Sequence, residues 1–100
     1  MNLGTAQISD FEPLLQETFR ADLAGQTFEL MLAEAQSASD RRGMLGMRAP
    51  FSLLFQGPPG MAFTQGVFPL THAQTGTLEI FLVPVAHDAE GRTMLQAVFG

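Results

Sequence analysis

The residues whose types could do chemistry are His72 and His87, together with Asp88 and Glu90, the acids that follow the second histidine. Histidine within reach of carboxylates can hold a metal or act as a general base. The spacing here matches no metal motif, and each histidine closes its own strand-like run, which accounts for both without a ligand. A serine nucleophile needs a tight turn beside an oxyanion hole. Ser52 falls inside a strand pattern, and Ser37 and Ser39 have no Gly-x-Ser-x-Gly context. Glu29, Glu34 and Glu79 could be paired as in glycoside hydrolysis, but the outward positions of any sheet supply such pairs. No catalytic set emerges, and the expectation is a non-enzymatic protein with no metal and no cofactor.

Composition narrows the classes further. The chain has 100 residues, the size of one small domain with one core. It has no cysteine, which excludes a disulfide scaffold and thiolate metal or redox sites. Its charged residues are ten acids and five arginines, with no lysine and a net charge of −5. That balance argues against a general grip on nucleic acid, and the missing lysine removes Schiff-base and Walker-type chemistry. Nine phenylalanines stand with no tyrosine or tryptophan, so nearly all aromatic surface gains only by burial. Apolar surface left over for a partner is expected. Met1 to Asp10 has neither a positive n-region nor an apolar h-region, and no run of ~18 apolar residues occurs. No signal of the usual kind and no membrane segment are expected, and the location stays open.

The elements that must position these residues are mostly strands. Ser9 to Leu15 carries a capping residue, early acids and an early proline, predicting a turn or two of helix that ends by about Gln16. Thr18 to Leu23 reads as a strand ending in an Ala24-Gly25 turn. Gln26 to Ala35 is ambiguous: Phe28, Leu30 and Leu32 have period two, while Leu, Met, Ala and Glu favour helix. A strand is preferred, because an isolated ten-residue helix is marginal. Phe51, Leu53 and Phe55 share a face before Gly57-Pro58-Pro59-Gly60 breaks the strand. Thr64 to His72 forms another, interrupted by Pro69. Thr77 to Val85 is apolar on both faces and should be central or covered on both sides, with Pro84 near an edge or bulge. Asp88 to Gly91 is a turn, and Thr93 to Phe99 returns as the last strand of a hairpin.

The sum predicts a mainly all-β fold over residues 1–100: a six-stranded antiparallel barrel or sandwich with a short N-terminal helix and a long irregular loop at 36–50. In that loop Arg41, Arg42 and Arg48 are interleaved with Met44, Leu45 and Met47. Arginine and methionine are enriched at interfaces, which makes these six the candidate interface residues. Gln56-Gly57 and Gln65-Gly66 would bend the sheet if paired across a hairpin. Leu54-Phe55-Gln56-Gly57-Pro58 coincides with the recognition sequence of the picornaviral protease used to remove tags. Its place amid patterned sequence makes it part of the fold.

Phe11-Glu-Pro-Leu14 with Thr18-Phe19, Phe51-Ser-Leu-Leu-Phe55 with Gly57-Pro58, Gln65-Gly66-x-Phe68, Gly76-x-Leu-Glu-Ile-Phe-Leu-Val-Pro-Val85 and Ala97-Val98-Phe99 occur in that order. In this the chain resembles a family of short bacterial proteins catalogued as a domain of unknown function and sometimes encoded among phage-tail-like or tail-fibre-like genes. The resemblance implies a single all-β domain, offers no catalytic residues, and points to a structural or assembly role. The expected partner is a second copy of the chain or a tail-like or fibre-like protein, with neither nucleic acid nor membrane. A small barrel binding an apolar ligand is the alternative.

Overall fold

A computed structural model describes residues 1–37 and 50–100; the six candidate interface residues, Arg41 to Arg48, lie outside them. The order is a short helix α1 (Ile8–Phe11) running into a 3-10 turn (Glu12–Leu14), then β1 (Thr18–Leu23), β2 (Gln26–Ser37), β3 (Phe51–Pro59), β4 (Gly66–His72), β5 (Gly76–His87) and β6 (Arg92–Phe99). The strands close into an antiparallel barrel in the order β1-β2-β3-β6-β5-β4. Two three-stranded meanders are thus joined along β3·β6 on one side and β1·β4 on the other, the latter by Arg20↔Thr71 and Ala21↔Leu70. Of barrel and sandwich, the barrel is what forms.

Period-two alternation builds the interior. Phe51, Leu53, Phe55 and Gly57 of β3 are buried and alternate with half-buried neighbours, and Leu78, Ile80 and Leu82 of β5 are buried between the exposed Thr77, Glu79 and Phe81 and the half-buried Val83. The helix-or-strand ambiguity at Gln26 resolves as strand. Leu30 and Leu32 point to the core, and cross-strand pairing supplies backbone partners that an isolated helix of that length would lack. β2 extends to Ser37, so Gln36 and Ser37 belong to it and not to the loop. β3 likewise runs on through Pro59, with a register shift between Gln56 and Pro59, and β4 passes through Pro69 without a break. The helix is capped at least two residues earlier than Ser9 or Asp10, the capping residues the sequence offers: Gln7 is its N-cap, and its N–H donates to Asp10 Oδ2 at 2.8 Å.

Eight of the nine phenylalanines meet another ring, in three groups along the barrel. At one end α1 inserts Phe11 against Phe51 and Phe99, which stack at 4.7 Å. Phe19 meets Phe55 edge-on in the middle at 5.5 Å. At the other end Phe28, Phe63 and Phe68 pack together. These rings, with Leu30, Leu32, Leu53, Leu70, Leu82 and Leu95, fill the barrel axis with side chains.

Candidate functional site

The ninth phenylalanine is on the outside. Phe81 is 53% exposed, beside its cross-strand partner Val67 on β4, itself 53% exposed. Both occupy outward positions because β5 buries Leu78, Ile80 and Leu82, which turns the odd-numbered side chains away from the axis. Of the two expectations for Thr77 to Val85, it is central, paired with β4 and β6, and it is not covered on both faces. The barrel is one layer thick, and nothing among the described residues packs over its outer surface there. Apolar residues at outward positions of this run were the signal, and they were read as a second buried face.

The face continues across a seam. β5 and β6 pair at Val83↔Gln96 and Pro84↔Leu95, with a bulge at Val85 where Pro84 departs from regular pairing. Beyond Val83 and Gln96 no pairing between the two strands is present, and a groove of about 300 Å3 opens, bordered by Leu3, Glu79, Phe81, Val83, Gln96 and Val98. Val98 is 71% exposed. Val67, Phe81 and Val98 thus lie on one stretch of outer surface whose only charged member in the groove, among the described residues, is Glu79.

The residues with chemistry in them are occupied elsewhere. His72, at the end of β4, accepts the Gln74 N–H at Nδ1 (3.0 Å), which places its proton on Nε2, facing Glu17 Oε1 at 2.6 Å. Its ring packs on Phe19 with centroids 5.0 Å apart. Both nitrogens are committed, so this His–Glu pair ties β4 to the start of β1 and leaves no lone pair for a substrate. His87 ends β5, exposed and 15 residues on in the chain, and the two histidines do not converge. Among the described residues no three of His, Asp and Glu come together as metal ligands. Ser52 lies within β3, and Glu29, Glu34 and Glu79 are exposed on the outside.

Asp88 holds a turn. Its Oδ1 accepts the N–H groups of Glu90 (3.0 Å) and Arg92 (2.9 Å), while Oδ2 accepts Gln56 Nε2 (3.0 Å) and faces Arg92 Nη1 at 3.5 Å. The Arg92 backbone N–H, reinforced by that of Glu90 and by the guanidinium, holds the carboxyl below its usual range against a smaller opposing effect of burial. The arrangement fixes the β5–β6 hairpin against β3. The two Gln-Gly pairs, by contrast, are not opposed across a hairpin, since β3 neighbours β2 and β6 while β4 neighbours β1 and β5.

Fold and site together define a small closed antiparallel barrel with a filled axis and an apolar outer face. The chain belongs to the family described as a domain of unknown function (DUF6916), whose model matches residues 6–99. No curated protein and no solved structure matches it. No helix among the described residues is long and apolar enough to cross a membrane.

Proposed function

We propose that this protein is a non-enzymatic structural or assembly module that associates with a second copy of itself through the outer face of Val67, Phe81 and Val98. The observation that carries the reading is Phe81. Eight aromatic rings pack on one another, six of them buried in the core and Phe28 and Phe63 partly buried against it, and the ninth is left half exposed between two exposed valines. Apolar surface removed from water contributes roughly 25 cal/mol per Å2 before the ordering costs of association.

Charge supports the same reading. Asp40, Arg41, Arg42 and Arg48 stand within residues 38–49, which leaves nine acids and two arginines, a net −7, for the rest of the chain. Bodies so charged repel each other, and a face with little charge is where two copies approach at least cost. The arginines of Arg41 to Arg48 offer the acidic body of a neighbour a counter-charge, which keeps that segment a candidate for the same association. A tail-like or fibre-like protein is the heterologous form of this reading, resting on the family resemblance. The barrel axis packed with buried side chains argues against an apolar ligand held inside it.

Molar mass by size-exclusion chromatography with light scattering, at two protein and two salt concentrations, tests the proposal. The expected result is an oligomer that the Phe81→Glu/Val98→Glu variant converts to a folded monomer. A wild-type chain that is monomeric at both concentrations would overturn self-association.

A further inference from the structure

β2 is paired on its β3 side along only part of its length. Met31 and Leu32 pair with Gln56 and Phe55, whereas Gln26 to Leu30 have β1 as their only strand partner among the described residues. One residue decides which backbone groups face the open side. The Gln16 N–H donates to the Leu32 carbonyl at 2.7 Å, and the Leu32 N–H donates to the Glu17 carbonyl at 3.0 Å, in a bulge whose first residue, Gln16, has φ 71°. Both polar groups of Leu32 therefore face β1. Successive residues of an antiparallel strand turn theirs to opposite edges, so Leu30, Phe28 and Gln26 also face β1, and Thr27 and Glu29 turn N–H and C=O the other way.

What stands opposite does not pair with them. Pro58 and Pro59 have no N–H, and β3 pairs there with β6 through Pro59↔Arg92. The strands diverge around a cleft of about 680 Å3 whose lining includes Phe28, Met31, Pro58 and Met61, with Glu29 and Arg92 as its charged members. Arg92 already faces Asp88 at 3.5 Å and Glu90 at 3.6 Å. Glu29 has no cation within ion-pair distance among the described residues.

We infer that the Thr27–Glu29 edge is a binding site for an extended peptide segment of a partner protein, one in which basic residues alternate with apolar ones. Free N–H and C=O groups on a strand edge select an extended backbone, the mode in which a peptide adds a strand to a sheet. Phe28, on the inward side of β2, and Met61 take its apolar side chains, and Glu29, on the outward side of an acidic chain, selects the basic ones. No residue lining this cleft belongs to the groove beside Phe81 and Val98.

Amide hydrogen exchange of the full chain, read by NMR, tests it with a synthetic decapeptide in which Val and Leu alternate with Lys and Arg. At saturation, exchange at the Thr27 and Glu29 amides slows by about tenfold or more. A peptide N-methylated at alternate residues, or one with glutamates in place of its basic residues, loses the effect. Glu29→Arg, at an exposed position, weakens the basic peptide by about tenfold and leaves exchange in the core strands unchanged. Unchanged exchange at Thr27 and Glu29, equal slowing by the acidic peptide, or slowing confined to other strands overturns the assignment. Slowing that follows protein concentration with no peptide present also overturns it, because the occupant is then a second copy.

Discussion

The ring of Phe63 lies over Gly57 so closely that a Cβ built on that glycine would stand 2.7 Å from Phe63 Cε2. Phe63 is held in turn by Phe28 at 5.4 Å and Phe68 at 6.1 Å between centroids, so it has little freedom to withdraw. The glycine in this strand marks a close approach that seals one end of the barrel.

Gly57→Ala is therefore expected to destabilise the protein by about 1–3 kcal/mol, the cost of overpacking, despite the better strand propensity of alanine. In urea denaturation the Gly57→Ala/Phe63→Leu double variant should lose less than the two single variants summed. Strict additivity would mean that the two residues do not act on each other.

Ala24 and Gly25 form the two-residue β1–β2 turn with φ of 52° and 78°, the signs a type I′ hairpin requires at both positions. Alanine tolerates positive φ poorly, whereas asparagine adopts it readily. Ala24→Asn should raise stability by about 0.5–1 kcal/mol. A midpoint shift in thermal melting to higher temperature checks this, and an unchanged or lower midpoint would contradict it.

Asp88 makes stability depend on acid. Its folded-state pKa is lowered, first by the Arg92 backbone N–H. Its contribution is therefore fully present above the ordinary carboxylate value and is lost as pH falls through the lowered folded-state value. Asp88→Asn should be less stable than wild type at pH 7, and the gap should close on acidification below about pH 4. A gap that stays constant over that range in denaturant titrations would show that the charge of Asp88 contributes nothing.

The Gln56–Gly57 bond lies inside β3, with Gln56 paired to both Met31 and Met94 and its side chain bound to Asp88. A protease must draw its substrate out as an extended strand, so cleavage by the picornaviral tag protease has to wait for opening of the barrel. Mass spectrometry after overnight digestion should find the native chain predominantly intact. The same chain in sub-denaturing urea should be cut between Gln56 and Gly57.

Much of the fold was legible because alternation is local. Phe51, Leu53 and Phe55 can share a buried face only as a strand, and Asp88 to Gly91 can only turn, whatever surrounds them. Prolines were less legible: Pro59 and Pro69 stay within strands because a missing N–H disrupts pairing only where that N–H would face a neighbour. The site was not legible at all. Phe81 and Leu82 are both apolar residues of one run, and nothing local distinguishes the one that faces solvent from the one that faces the core.

The amino-acid sequence by itself determined the strands, their turns and the acidic charge, since these depend on residue type and near neighbours. Only the tertiary structure decided that the barrel closes through β1·β4 and β3·β6. With that closure it decided that Phe81 is left outside while the other eight rings pack in and against the core, and that Thr27 and Glu29 face prolines instead of a pairing strand. Those outcomes depend on register and closure between strands distant in the chain, and pairings of that kind leave no local trace.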